Sequence, residues 1–316
     1  MPESTMSLFT EAVVLPDVDV TFGTCQTGCA SANNHMKRSW IMVVDSLQRV
    51  TVDGAEMALW DIGAGDPVLL LHGGSGDECL AVIQEPALTD NFRVIHFQRA
   101  GYAISRGDPG PSTIQEMAAQ VRAIMQQLGI ERAHIEGLSL GGTIALQYAH
   151  DYPETVQSLA LLEPGIPGVL GKYPDLLAVM GNVGQLYEVG DREGAMHGFL
   201  AELAGSNYDE ELSRYLPEGW RERVNYELDV LMQNDSPASN QWEFTRDDAA
   251  RITCPVLNVT GERSRPYFTE THELMKEWFP QAENVVIPDT GHFMLETNPA
   301  RCAEELARFF SKYPIT

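Results

Sequence analysis

The feature that most constrains the fold is the stretch Gly-Leu-Ser-Leu-Gly-Gly at residues 137–142. An apolar run, residues 133–135, precedes it, and a helix-like segment, residues 143–149, follows it. When strand, tight turn and helix come in this order with serine at the apex, Gly-x-Ser-x-Gly is typical of a nucleophile elbow. Glycines flank such a serine because the sharp turn leaves no room for neighbouring side chains. The pattern therefore predicts that Ser139 stands clear of a sheet edge as a nucleophile.

Strand and helix patterns alternate along the rest of the chain. A hairpin pattern, residues 47–52 and 56–60 joined through Asp53-Gly54, comes first. Apolar runs typical of buried strands follow at residues 67–71, 91–97, 156–162, 255–260 and 284–287. Helical spacing is found at residues 113–128, 267–279 and 299–310. This alternation predicts an α/β fold with a mainly parallel, doubly wound sheet flanked by helices, in which ligands bind at the carboxyl ends of the strands.

Two segments depart from this alternation. Residues 1–40 are irregular and rich in small and polar residues, so we interpret them as an extension outside the main fold. Residues 164–245 contain helical stretches without a clear strand. We expect them to form a helical cap, inserted into an α/β core made of residues 41–163 and 246–316. Such a cap would shape substrate choice and exclude water.

Charge and cysteine content limit the class of partner. The net charge is -24, from 21 basic and 45 acidic residues, which argues against binding to nucleic acid or to an anionic membrane. The five cysteines are scattered and odd in number, and Cys25 and Cys29 have no second Cys/His pair at zinc-finger spacing. We therefore expect a cytoplasmic protein that binds a small-molecule substrate, with no metal and with its oligomeric state left open.

A nucleophilic serine needs a base, and that base needs a third group to hold its tautomer. Of the eight histidines, His292 is the best candidate for the base, because it lies in a Gly-His-Phe loop between the last strand and the last helix. His72 lies against a glycine-rich turn, where histidine more often has a structural role. His96 lies near a strand end and is the weaker candidate to face a pocket.

Together these motifs resemble the capped members of the α/β-hydrolase fold superfamily. The resemblance covers residues 46–310, and it depends on four motifs. These are His-Gly-Gly-Ser-Gly at 72–76, Arg-Ala-Gly-Tyr at 99–102, Gly-Leu-Ser-Leu-Gly at 137–141 and Gly-His-Phe at 291–293. In that superfamily, backbone N–H groups after the nucleophile and after the third strand form an oxyanion hole. For this chain the resemblance implies Leu140 together with Gly74 or Ser75.

The third catalytic group is where the sequence departs from the family pattern. An aspartate is usual in the turn after the penultimate strand, but Ser264 stands at that position. Glu163, at the end of the strand 156–162, is the acid we favour, since some relatives place their acid there. Glu262 is the alternative, and Asp289 is a weaker candidate because it lies only three residues before His292.

The function implied by this resemblance is acyl transfer to water through Ser139, His292 and Glu163, with no metal or organic cofactor. A small carboxylic ester or lactone is the expected substrate. Two alternatives remain open. One is a hydrolase-like ligand sensor or partner-binding protein with little turnover. The other is a lyase or cofactor-free oxygenase that uses His292 as a base.

Overall fold

A computed structural model describes residues 46–110, 112–216 and 219–316. Its centre is an eight-stranded sheet with the order β1-β2-β4-β3-β5-β6-β7-β8. The strands are β1 (Leu47–Val52), β2 (Ala55–Gly63), β3 (Asp66–Leu71), β4 (Phe92–Phe97), β5 (Ala133–Leu138), β6 (Val156–Leu162), β7 (Val256–Gly261) and β8 (Glu283–Ile287). Strand β2 is antiparallel to both neighbours, and every other neighbouring pair is parallel. The predicted α/β fold with a mainly parallel sheet is confirmed.

Helices cover both faces of the sheet and fill the long segment between β6 and β7. They are α1 (Pro86–Thr89), α2 (Ile114–Gln127), α3 (Leu140–Asp151), α4 (Pro167–Leu170), α5 (Pro174–Glu188), α6 (Arg192–Ala204), α7 (Tyr208–Leu212), α8 (Trp220–Val230), α9 (Ser236–Gln241), α10 (Arg246–Ala249), α11 (Pro266–Trp278), α12 (Met294–Thr297) and α13 (Pro299–Phe310). Short 3₁₀ turns lie at Val82–Gln84 and Pro153–Thr155, and a π-helical turn, Leu231–Asp235, joins α8 to α9.

The apolar side chains of the sheet face two separate cores. One core packs α2, α3 and α11 against one face, and the other packs α1 and α13 against the opposite face. Every residue of β5 is buried, including the polar side chains of His134 and Glu136, because both faces of this strand are covered. This double burial fixes the strand that ends at Ser139 in the middle of the sheet.

The segment of residues 164–245, called the insertion below, contains helices α4 to α9 and no strand among its described residues. It packs on the core through apolar side chains of core segments: Phe293 contributes to one cluster of the insertion, and Tyr267 and Phe268 to another. The N-terminal extension expected at residues 1–40 lies outside the described residues. Within those residues, no helix combines the length and apolar character needed to cross a bilayer.

One side chain in the buried strand β5 is charged in water. Glu136 is fully buried there, and burial, with a further contribution from the Glu78 carboxylate, raises its pKa well above the usual value of 4.5. The folded protein therefore keeps a proton on Glu136 that the unfolded chain releases once the pH rises above that value. Ionisation of the unfolded chain favours unfolding increasingly as the pH rises.

We predict that Glu136→Gln stabilises the protein more at pH 8 than at pH 5. Glutamine fills the same volume and has no proton to lose on unfolding. Each unit of pKa shift removed is worth about 1.4 kcal/mol, or roughly 2–4 °C per kcal/mol in melting temperature. Thermal unfolding at both pH values measures the difference, with Glu131→Gln as a control at an exposed position. An equal change at both pH values would contradict a neutral, buried Glu136.

Candidate active site

The carboxyl ends of the parallel strands meet at one edge of the sheet, and each candidate residue follows one of them. The Gly-rich loop follows β3, Ser139 follows β5, Glu163 follows β6 and His292 lies beyond β8. Because these strands are neighbours in the sheet, residues far apart in the sequence lie side by side. The candidate site residues therefore all lie at this edge of the sheet.

Ser139 has a backbone conformation that non-glycine residues rarely adopt, with φ 56° and ψ −121°. The turn is tight because Ser139 is the only residue between the end of β5 and the start of α3. A Cβ added to Gly141 would lie 2.0 Å from the carbonyl oxygen of Leu71, and one on Gly137 would lie 2.3 Å from the carbonyl oxygen of Gly141. Both glycines are thus required by close backbone contacts, and the strain is held at the serine.

The imidazole of His292 is paired with a carboxylate. Its Nδ1 lies 2.7 Å from Glu163 Oε2, and only 2% and 0% of the two side chains are exposed. The ring also stacks on Phe268, with centroids 3.7 Å apart and planes 7° apart. Since one edge is bonded and one face is packed, the orientation of the imidazole is fixed from two sides.

Glu163 is itself held by donors from the next strand. Its Oε1 accepts hydrogen bonds from Thr260 Oγ1 at 2.7 Å and from the N–H of Gly261 at 2.8 Å. Burial alone would raise the pKa of Glu163, but the hydrogen bond and charge of His292, with further donors from the turn after β7, hold it below the usual value. Glu163 is therefore ionised at neutral pH, and it too has a positive φ, 44°.

The other two candidate acids lie away from His292. Glu262 and Asp289 are exposed, and Glu262 Oε2 accepts a hydrogen bond from the N–H of Asp289 at 2.9 Å. No hydrogen bond joins either carboxylate to His292 within the described part of the chain. Ser264 stands beside Gly261, where its Oγ is 2.8 Å from the position of an added Cβ. The carboxylate that reaches the imidazole comes from β6.

A cavity of about 400 Å³ lies over this edge and is lined by Ser139, His292, Leu140 and Gly74 together with side chains of the insertion. Leu140 is the first residue of α3, so its N–H has no acceptor within the helix. The N–H of Ser75 donates to Glu78 Oε1 at 2.9 Å. Of the two alternatives that the sequence left for the second donor, Gly74 has the N–H without an intramolecular acceptor in the described residues.

A buried ion pair that no sequence pattern indicates joins the insertion to this edge. Arg99 donates to both oxygens of Asp235, at 2.9 and 2.8 Å, and to the carbonyl oxygen of Gly73 at 2.8 Å. Tyr102 donates its hydroxyl to Asp235 at 2.6 Å. In the sequence, Arg99 stands out only as the first residue of the Arg-Ala-Gly-Tyr motif. Its partner Asp235 lies in the π-helical turn, where neither spacing nor composition marks it.

Two further side chains of the insertion contact the loop after β3. Glu227 Oε1 accepts hydrogen bonds from the N–H groups of Gly76 at 3.2 Å and Ala103 at 3.0 Å. Arg223 forms a 2.5 Å ion pair with Asp77. Polar side chains of the insertion therefore hold the same loop that contains Gly74.

His72 and His96 have structural positions. The Nε2 of His72 accepts the N–H of Arg99 at 3.0 Å, and His96 stacks on Trp60 with its Nδ1 3.0 Å from the carbonyl oxygen of Leu70. Burial is the main cause that lowers the pKa of both rings, so both are neutral at pH 7. His292 is the histidine that lines the cavity.

Comparison with known proteins places this arrangement in a family. The model of the α/β-hydrolase fold matches residues 66–299, most of the chain. The chain belongs to the α/β-hydrolase fold family. Within this family it is similar to lipase 1 of Psychrobacter immobilis, with 26% identity over 307 residues that cover 86% of the chain and 89% of the lipase.

Two further relatives show the range of the family. The putative carbamate hydrolase RutD of Azorhizobium caulinodans is 37% identical over 100 residues, which are 32% of this chain and 38% of that protein, so less than half of that relative's length is matched. The solved structure of Est816, described as an N-acyl homoserine lactone degrading enzyme, superposes with a TM-score of 0.65 at 25% identity. The superposition covers 83% of this chain and 100% of the Est816 chain.

We predict that Asp235→Asn destabilises the protein by about 3–5 kcal/mol, because it leaves the Arg99 guanidinium buried without its counter-charge. The double variant Arg99→Met/Asp235→Asn should lose less than the sum of the two single variants, since both charges are gone. Urea unfolding measures each free energy. The exposed pair Arg221–Asp209 supplies the control, and Arg221→Gln should change stability by less than about 1 kcal/mol. Additive losses in the double variant would contradict the coupling.

Proposed function

We propose that the protein is a serine hydrolase that transfers the acyl group of a neutral carboxylic ester or lactone to Ser139 and then to water. The observation that carries the proposal is the buried hydrogen bond between Glu163 and His292, at a cavity that both His292 and the strained Ser139 line. A metal ion is not needed for this chemistry, because the imidazole supplies proton transfer and the backbone supplies charge stabilisation.

In the acylation step, Glu163 holds the Nδ1 proton of His292, which leaves Nε2 as the proton acceptor. His292 takes the hydroxyl proton of Ser139 as Oγ attacks the carbonyl carbon. The positive charge that forms on the imidazole is balanced by the ionised Glu163. The developing oxyanion accepts hydrogen bonds from the N–H groups of Leu140 and Gly74. Each such donor typically raises the reaction rate by about 10²–10³-fold.

The tetrahedral intermediate then collapses: the bond between the carbonyl carbon and the alcohol oxygen breaks, and that oxygen takes the proton from His292 Nε2, which completes acylation. Water then gives a proton to His292 and attacks the acyl-enzyme through the same oxyanion hole, and Ser139 is regenerated when the intermediate collapses. The insertion covers the cavity in this scheme, which supports the role of a cap that limits the access of bulk water.

The cavity lining supports a neutral, apolar acyl group. Aliphatic and aromatic side chains predominate in it, among them Met180, Phe199 and Leu231, and the described lining residues include no lysine or arginine. A buried negative charge would find no cationic partner among the described residues of this lining, since the Asp235 carboxylate already pairs with Arg99. A lipase and an N-acyl homoserine lactone degrading enzyme are among the relatives, which is consistent with an ester or lactone carrying an apolar chain.

One group of polar side chains in this lining belongs to the insertion helix α9. Ser236, Ser239 and Asn240 lie on one face of α9, and Asn240 is exposed. They follow the spacing i, i+3, i+4, which aligns them along the helix. In this proposal the alcohol or lactone ring of the substrate lies towards these residues and solvent, and the acyl chain lies among the apolar residues.

We predict that a fluorophosphonate probe adds to Ser139 of the wild type, detected by intact mass, and does not add to Ser139→Ala. Both His292→Ala and Glu163→Gln should slow labelling by about 10³–10⁴-fold. The first variant removes the group that accepts the proton of Ser139, and the second removes the charge that balances the imidazolium. The matched control Glu262→Gln should label at the wild-type rate, since Glu262 contacts Asp289 rather than His292.

Two results would overturn this scheme. Rapid labelling of Glu163→Gln together with slow labelling of Glu262→Gln would move the acid to Glu262. A wild type that does not label at all would contradict the serine hydrolase, and a ligand sensor or a lyase that uses His292 as a base would then be the better account.

We also predict discrimination by substrate charge. The value of kcat/KM for 4-nitrophenyl hexanoate should exceed that for the mono-4-nitrophenyl ester of adipic acid by at least about tenfold, because the second substrate carries its carboxylate into an apolar cavity whose described lining has no lysine or arginine. Met180→Lys should reduce the ratio by adding a cation to the lining. Equal values for the two esters in the wild type would contradict the assigned substrate orientation.

A further inference from the structure

The loop after β3 uses almost all of its backbone donors internally. Within residues 73–78, the N–H groups of Gly73 and Ser75 donate to the Glu78 carboxylate, that of Gly76 to Glu227, and those of Asp77 and Glu78 to Ser75. Gly74 is the one position in this range whose N–H has no acceptor among the described residues. Gly74 also lines the cavity beside Ser139. The loop thus presents a single donor.

Glu78 makes this arrangement through both of its carboxylate oxygens. Oε2 accepts the N–H of Gly73 at 2.6 Å, and Oε1 accepts the N–H of Ser75 at 2.9 Å. The two bonded N–H groups flank Gly74 on both sides, so the peptide planes before and after it are fixed. A Cβ added to Gly73 would lie 2.9 Å from Ser139 Cβ and 3.1 Å from Glu78 Oε2, which puts the carboxylate close to the nucleophile.

We propose that Glu78 is a positioning residue that orients the oxyanion hole: its carboxylate binds the N–H groups of Gly73 and Ser75 and thereby directs the N–H of Gly74 at the developing oxyanion. The inference rests on the proposed hydrolase function and deepens it. Glu78 acts through the loop and does not itself bind the reacting atoms.

Burying the carboxylate of Glu78 costs free energy, which supports a specific role for this residue. The side chain is 4% exposed, and burial raises its pKa, a shift that the N–H bonds and the charges of His292 and Arg99 reverse only in part. Two further buried carboxyl groups, Glu136 and Glu296, interact with it electrostatically. A carboxylate in this environment is disfavoured unless its hydrogen bonds are needed.

A glutamine cannot reproduce the bridge. Its amide has one oxygen that accepts and one nitrogen that only donates, so one of the two loop N–H groups would face another donor. The loop then loses one of the two bonds that orient Gly74. Glu296→Gln is the matched control, because Glu296 is equally buried, belongs to the same group of acids and makes no hydrogen bond to residues 73–78.

The experiment compares an ester with its thionoester, in which sulfur replaces the carbonyl oxygen. Sulfur is a weak hydrogen-bond acceptor, so a well-oriented hole favours the oxygen ester, and a disordered hole discriminates less. Glu78→Gln should lower kcat for the oxygen ester by about 10²–10³-fold with little change in KM, and should reduce the oxygen-to-sulfur ratio of kcat/KM. Glu296→Gln should keep both values. Thermal unfolding of each variant checks that the protein is folded.

A measurement on the wild type keeps the proposal testable if Glu78→Gln fails to fold. In ¹⁵N-glycine-labelled protein, the amide of Gly73 should exchange slowly because it donates to Glu78, and that of Gly74 should exchange quickly. After a fluorophosphonate has reacted with Ser139, Gly74 should become protected, because the phosphonyl oxygen occupies the oxyanion position.

The outcomes separate this inference from the hydrolase proposal. A wild type that hydrolyses neither ester and does not react with the probe overturns both. An active wild type with unchanged kcat and an unchanged oxygen-to-sulfur ratio in Glu78→Gln overturns the role of Glu78 alone. Fast exchange at Gly73 in the unreacted wild type overturns it as well.

Discussion

The hydrogen bond between Glu163 and His292 is the interaction on which the arrangement of the site depends. A carboxylate buried at the end of β6 needs donors, and it finds them in Thr260 and Gly261 on β7 and in the imidazole beyond β8. These contacts tie the ends of three neighbouring strands to one charged group. The register of β6 with β7 and of β7 with β8 therefore sets the position of the His292 imidazole as well as the packing of the sheet.

Backbone strain in the site lies at two residues that are held by close contacts with their surroundings. Ser139 and Glu163, at the ends of adjacent strands, both have positive φ without being glycine. Such conformations persist only where the surroundings over-determine them. At Ser139 the surroundings are the close approaches of Gly137 and Gly141 to the backbone, and at Glu163 they are the hydrogen bonds of its carboxylate. Packing and electrostatics thus fix the two residues by different means.

The insertion and the Gly-rich loop are joined by buried polar side chains as well as by apolar contacts. Asp235 binds Arg99, which also contacts the carbonyl oxygen of Gly73, and Glu227 binds the N–H of Gly76. Buried ion pairs add little net stability compared with apolar packing, but each requires one relative position of its partners. The segment that lines the cavity over Ser139 and the loop that contains Gly74 are consequently held in one arrangement.

The sequence alone determined the sheet, its flanking helices and the positions of Ser139 and His292, because these depend on local information. Apolar runs and helical spacing are read within a dozen residues, and a glycine-flanked serine between strand and helix has few other structural explanations. Even the departure at Ser264 was visible, since it is a single position in a short turn.

Only the tertiary structure decided which acid meets His292, which loop N–H remains available and what holds the insertion. Glu163 and Glu262 were both plausible in sequence, and the choice between them depends on side-chain direction at neighbouring strand ends. The contacts of Glu227 with Gly76 and of Asp235 with Arg99 span 151 and 136 residues of sequence, and they leave no periodic or compositional trace. Local pattern specifies the elements, whereas the pairing of buried charges is a property of the assembled fold.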